Sequence, residues 1–167
     1  MVSIAADIVS MSGENRIMAW HGLQKLNTDP CDGLRALKTV SGKTGTYTIM
    51  DVVFNLAPRI NAAGRMDHAK KAVEMLLCED IADSEAQSAF INDRNTERRS
   101  FDQNITLEAL AQIEADSRLI TKKTTVVFND SWNKGVIGIV ASRLTETYYR
   151  PTIVLTASNG LLTGSAR

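Results

Sequence analysis

The spacing of apolar positions changes along the chain, and the changes divide it. Val2 to Met11 is apolar except for Ser3, Asp7 and Ser10, which predicts a buried strand or loop running into Ser12-Gly13. Ser12 or Gly13 then opens a helix through Glu14 to Leu26, with Ile17, Trp20 or His21, and Leu23 at helical spacing, and Asn27-Thr28-Asp29-Pro30 stops it. A shorter helix from Asp32 or Gly33 carries Leu34, Leu37 and Val40 and ends in Ser41-Gly42-Lys43-Thr44-Gly45. Thr48 followed by Asp51 forms a capping box for a helix from Ile49 to Leu56. Pro58 is expected to end that helix and Asp67 to cap the next, leaving 58–67 as a rigid bend. Ala69, Val73, Leu76 and Leu77 then mark an amphipathic helix that ends near Cys78.

From about Asp83 to Ala115 there is neither proline nor glycine, and Ala86, Ala89, Phe90, Phe101, Ile105, Ala109, Leu110 and Ile113 mark one side. A continuous helix of that length spans ~50 Å, too long for one small domain, so it reads as a connection between two bodies. Its middle, Asn92 to Arg99, is polar all round, as a solvated span would be, or else Arg94, Arg98 and Arg99 line a groove for phosphates. Beyond it, Thr124 to Phe128 reads as a strand, Gly135 to Tyr149 as a helix and Thr152 to Thr156 as a second strand pairing in parallel with the first. Ser158-Asn159-Gly160 turns the chain into a third strand, Leu161 to Thr163. The fold class is α/β. A helical part covers 1–80, a connecting helix 81–118, and a β-α-β-β body, short of a complete sheet, 119–167.

Composition narrows the function classes. With 44% hydrophobic residues the 167-residue chain can fill a core, and nineteen Lys+Arg balance nineteen Asp+Glu. No overall field draws nucleic acid or membrane, so an anion site must be built locally. Cys31 and Cys78 form no Cys-x-x-Cys pair and follow no signal-like amino terminus, which points to free core thiols in a reducing cytoplasm. The longest purely apolar run, Val136 to Ala141, is far below the ~20 residues of a membrane span.

Local chemistry concentrates in three places. Within Pro58-Arg59-Ile60-Asn61-Ala62-Ala63-Gly64-Arg65, two guanidinium forks flank backbone with little side-chain bulk, which suits an anion held close to the main chain; the bland reading is a small-residue turn with solvated arginines. Asp7 is a lone carboxylate in an apolar run, either a turn cap or a metal ligand. The loop Asn129 to Gly135 lies where open α/β sheets collect ligands, between a strand's carboxyl end and a helix amino end. Free N–H groups at Gly135 and Val136 beside Lys134 and Trp132 would suit a phosphate with a base stacked nearby, unless Trp132 merely plugs the core edge. Gly42-Lys43-Thr44 is no phosphate-binding P-loop, because Leu37 stands where its first glycine would be.

Four blocks, taken in order, resemble the RecJ branch of the DHH (Asp-His-His) phosphoesterases. They are Ala6-Asp7-Ile8-Val9 with Gly13-Glu14-Asn15-Arg16, then Arg59 to Arg65, then Trp132-Asn133-Lys134-Gly135-Val136-Ile137-Gly138-Ile139-Val140-Ala141-Ser142-Arg143, and finally Gly164-Ser165-Ala166-Arg167. The linker's Asn95-Thr96-Glu97-Arg98-Arg99 also occurs in that branch. The resemblance implies a single-strand-specific 5′-to-3′ DNA exonuclease of repair and recombination, using two Mn²⁺ or Mg²⁺ ions to activate water at a phosphodiester. It implies the tail of a DHH catalytic domain, a long helix, and the start of a DHH-associated domain, with single-stranded DNA threading the cleft between them. By position, Asp7 would be a metal ligand, and Asn61 and Arg65, with Arg59, would hold phosphates near the metals. Gly135, Ser142 or Arg143, Ser165 and Arg167 would belong to the substrate wall of the second domain.

The sequence also departs from that branch. The branch's Asp-x-Asp pair and Asp-His-His triplet precede the position of Asp7, and neither the remaining aspartates nor His21 and His68 fall in those patterns. One carboxylate cannot hold two hard cations that each want about six ligands, so this polypeptide by itself is expected to be inactive, a fragment of such an enzyme. Asn133 stands where the branch usually has histidine, and Ala166 replaces a glycine. The rival expectations are a phosphodiesterase for short oligonucleotides or cyclic dinucleotides, and a non-catalytic module that binds single strands or a protein partner.

Overall fold

The structure, a computed structural model, describes residues 1–7 and 9–167; Ile8, in the block that carries Asp7, lies outside the described residues. The chain is mostly helical with one three-stranded sheet, and it divides into two compact units, Met1–Thr96 and Glu97–Arg167, whose boundary falls inside the longest helix.

The first unit begins with a short helix, α1 (Val2–Ala6), where the apolar run predicted a strand or loop. In so short an apolar run periodicity does not separate the two, and here α1 lies against α5, α2 and the turn before α5. Helix α2 (Gly13–Thr28) starts behind Ser12 and α3 (Asp32–Ser41) stops at Gly42, which adopts a left-handed φ of 72°. The Thr48–Asp51 capping box forms as predicted and opens α4 (Ile49–Asp51).

After α4 the chain departs from the expected bend. A π-helical turn, Val52–Leu56, leads directly into α5 (Ala57–Met66), with Pro58 in the first turn of the new helix. Proline has no N–H to donate to the preceding turn, and the wider π turn makes room for its ring, so the chain continues as helix. Asp67 accordingly terminates α5, its N–H bonded to the Ala63 carbonyl, while α6 (Lys70–Leu77) starts behind Ala69. Helix α6 buries Ala72 and Met75, leaving Val73 and Leu77 exposed, because Gly33 of α3 approaches the Met75 carbonyl so closely that a Cβ would fall 2.1 Å from it. Leu26, Leu37, Val52, Leu56, Met75 and Ile91 are the centre of this unit's core. The cysteines are free but lie outside that core: Cys31, exposed, precedes α3 and Cys78, half-buried, follows α6.

Helix α7 (Ile81–Ala115) runs 35 residues, as its composition predicts. In the first unit its buried positions are Ser84, Ser88, Ile91 and Asn95, whereas Ala86, Ala89 and Phe90 are exposed. The four stand at i, i+4, i+7 and i+11, one stripe of a helix, so position along α7 rather than hydrophobicity sets the inward face. The polar middle is not uniformly solvated either, since Asn95 is 4% exposed. In the second unit the same helix buries Asp102, Ile105, Ala109 and Ile113.

The remainder is the β-α-β-β arrangement expected. After α8 (Ser117–Thr121), β1 (Thr125–Phe128) pairs in parallel with β2 (Thr152–Ser158) across α9 (Ile137–Tyr148). Asn159 and Gly160, both at positive φ, make the tight hairpin into β3 (Leu161–Ala166), antiparallel to β2. β3 runs beyond the predicted Thr163 because Gly164 permits it: a Cβ there would lie 2.4 Å from the Leu155 side chain.

Candidate nucleic-acid interface

In the first unit, α5 determines which groups can meet a ligand. Asn61 and Arg65 are one turn apart on a helix, hence on one face, and both are exposed together with Gly64. Ala62 and Ala63 on the opposite side are completely buried and pin the helix to the core. The expected convergence of two arginine forks is not what the helix builds. Arg59 lies about a third of a turn away from Arg65, and its guanidinium donates to the Asn55 carbonyl at 2.5 Å, to Asn92 Oδ1 at 2.9 Å and to the Val40 carbonyl at 3.5 Å. It ties the π turn to α3 and α7. The outward cationic group of the block is Arg65.

Asp7 is exposed at the end of α1, where its N–H bonds the Ser3 carbonyl. Among the described residues no three His, Cys, Asp or Glu side chains form a group able to hold a metal ion. The donors present therefore do not fit a two-ion centre, in which each cation wants about six ligands.

In the second unit the loop after β1 closes on itself. Trp132 is 4% exposed, and its indole N–H donates to Glu108 Oε2 of α7 at 2.7 Å. Its carbonyl accepts the Thr156 hydroxyl at 2.7 Å, so the ring anchors the loop and offers no face to a base. The backbone N–H groups expected to be free are also engaged. Gly135 N–H donates to Asn133 Oδ1 at 2.8 Å and Val136 N–H to the Asn133 carbonyl at 3.0 Å, so Asn133 shapes the turn that starts α9.

The open chemistry lies one turn further on. Ser142 donates its hydroxyl to the Gly138 carbonyl at 3.2 Å and accepts from Arg167 Nε at 3.3 Å. A Cβ on Gly138 would stand 3.3 Å from Ser165 Oγ and 3.5 Å from Arg167 Nη2, so the bare glycine lets the end of β3 pack closely on α9 and sets the Ser165 hydroxyl and the Arg167 guanidinium side by side. A hydroxyl and a guanidinium side by side suit an oxyanion at this surface, with Ser142, whose one proton goes to the Gly138 carbonyl, orienting Arg167. The structure thus brings together Ser142, Ser165 and Arg167 of the predicted wall. Arg143 points elsewhere, its Nη2 bonded at 2.7 Å to Asp102, a carboxylate 3% exposed as a residue. Gly138 is the member that sequence reasoning passed over, although the repeated glycines of Gly135-Val136-Ile137-Gly138 were the available signal.

No family model matches the chain. It is 38% identical over 169 residues to the single-stranded-DNA-specific exonuclease RecJ of Bacillus subtilis, covering 99% of this chain and 21% of that protein. To the RecJ of Escherichia coli K12 it is 34% identical over 167 residues, covering 97% of this chain and 29% of that one. Among solved structures it is similar to RecJ of Thermus thermophilus in complex with Mn²⁺, at a TM-score of 0.81 and 34% identity over 93% of this chain and 23% of that chain. A second manganese-bound RecJ exonuclease gives a TM-score of 0.82 at 34% identity, over 93% of this chain and 38% of that one. The chain therefore spans between about a fifth and three-tenths of the length of the curated relatives it matches.

Proposed function

Because the chain is of the RecJ type along nearly its whole length, we propose that it forms substrate-holding walls of a single-stranded-DNA-specific exonuclease. The carrying observation is the cluster beside Gly138, where Ser142 accepts from Arg167 and Ser165 stands next to them, because the Ser165 hydroxyl and the Arg167 guanidinium offer a phosphate adjacent donors. On the first unit, Asn61 and Arg65 present a second phosphate contact from one face of α5. In this reading residues 1–80 are the later part of a DHH catalytic domain, 81–118 its connecting helix and 119–167 the start of the DHH-associated domain. The enzyme works 5′ to 3′ in cytoplasmic DNA repair and recombination.

Mn²⁺ or Mg²⁺ would supply the activated water, held by side chains beyond those described; the residues present bind and orient the strand. Asp7 contributes at most one ligand. Hydrolysis by the 167-residue chain on its own is accordingly not expected. Fluorescence anisotropy with a labelled single-stranded oligonucleotide tests the reading. Weak binding that falls steeply with salt, and falls further in Arg65→Ala with a salt slope shallower by about one phosphate, supports it. Binding indifferent to salt and to that substitution would make the chain an interaction module.

A further inference from the structure

The two thiols, 47 positions apart in sequence, line one surface cavity of about 290 Å³ together with Lys25, Asp29, Arg35 and Glu79. Cys31 Sγ lies 4.0 Å from the Leu76 carbonyl, two residues before Cys78. The approach of the two helices at this point is independently visible at Gly33, where a Cβ would fall 2.1 Å from the Met75 carbonyl and 3.0 Å from the Leu76 Cα. The Cys78 N–H itself bonds that Met75 carbonyl at 3.4 Å, so the start of α3 and the end of α6 share one contact. Cys31 is exposed and Cys78 half-buried, and both stand at helix ends, where backbone and side-chain torsions have room to adjust. Among the described residues no third His, Cys, Asp or Glu joins them as a metal group. Cys78 Sγ lies 3.3 Å from the Asp80 carbonyl, so a rotation of its side chain is what would turn it to Cys31 across the shared cavity.

We propose that Cys31 and Cys78 are a reversible dithiol–disulfide pair that staples α3 to α6 under oxidising conditions. With a low-molecular-weight disulfide such as oxidised glutathione as oxidant, the exposed Cys31 thiolate attacks one glutathione sulfur and releases the first glutathione thiolate. Cys78 then attacks Cys31 Sγ of the mixed disulfide, forming the Cys31–Cys78 bond and releasing the second glutathione. The two cysteine protons end on the two glutathione thiols, so two electrons leave the protein and one glutathione disulfide is reduced. The bond constrains a loop of about 47 residues in the unfolded chain, which raises the melting temperature of the first unit. The pair shares no residue with the Asn61 and Arg65 face or with the cluster beside Gly138, and the inference stands independently of the exonuclease reading.

The test incubates the folded 167-residue chain with oxidised glutathione, quenches with acid, and maps peptides by mass spectrometry without reduction. The expected product is a peptide pair joined through Cys31 and Cys78, abolished by dithiothreitol, with a melting temperature about 10 °C above that of the reduced chain. Cys78→Ser should accumulate a glutathione adduct at Cys31, and Cys31→Ser should react more slowly, as expected for an attacking and a resolving thiol. Separate glutathione adducts on both cysteines of the parent chain, or no linked peptide after the thiols are consumed, would overturn the proposal.

Discussion

Replacing Gly138 by alanine separates binding from folding. The added methyl would sit 3.3 Å from Ser165 Oγ, 3.5 Å from Arg167 Nη2 and 3.8 Å from Ser165 Cβ, pressing on the two donors assigned to the phosphate. Its neighbours are ends of side chains that can shift by a few tenths of an ångström, and alanine is favoured over glycine within a helix by up to about 1 kcal/mol. The melting temperature should therefore hold or rise slightly. Binding should suffer, because the phosphate loses a charge-assisted bond from Arg167, worth roughly 1.5–3 kcal/mol, and a hydroxyl bond from Ser165 worth about 1. A loss of about 2–4 kcal/mol corresponds to roughly 30-fold or more in affinity. Anisotropy titration of a 5′-phosphorylated single strand at low salt, alongside a thermal melt, reads both quantities. Affinity within about threefold of the parent chain, with melting unchanged, would refute the seating of a phosphate on Ser165 and Arg167.

Two further expectations concern stability. Arg150 donates to the Leu119, Ile120 and Lys122 carbonyls and to Thr125 Oγ1 at 2.6–2.8 Å, closing the end of α8 onto β1. Arg150→Ala should destabilise the second unit by about 2–4 kcal/mol, less than the sum of four bonds because some carbonyls regain water, and Arg150→Lys should recover only part; faster amide exchange across 117–125 reports it. Acid should loosen two helix starts. The Thr48 backbone N–H, then its hydroxyl, holds Asp51 below the ordinary 3.8, and the side chain of Arg118, then its N–H, does the same for Asp116. A depressed folded pKa gives stabilisation that is complete above the unfolded value and is lost as pH falls through the folded one. Melting should therefore be flat above about pH 5 and decline below about 4, with Asp51→Asn weakening that dependence.

Sequence alone determined the elements whose signals are local. The capping box at Thr48–Asp51, the Asn159-Gly160 hairpin and the unbroken run of α7 depend on neighbouring residues and on glycine and proline, so they could be read without knowing what lies opposite. The hydroxyl and arginine members of the second-unit cluster were legible as motif residues too. Tertiary structure decided direction and occupancy. Arg59 turned from a phosphate ligand into an internal clamp because Asn92 and the Val40 carbonyl, both distant in sequence, stand within its reach. Trp132 and the Gly135 N–H were spent inside the fold on Glu108 and Asn133, bonds that no periodicity announces. Pro58 read as a stop because the π turn that accommodates it leaves no signature in composition. A residue type states which bonds a side chain can make, whereas only the packed chain states which of them are already made and which remain for a ligand.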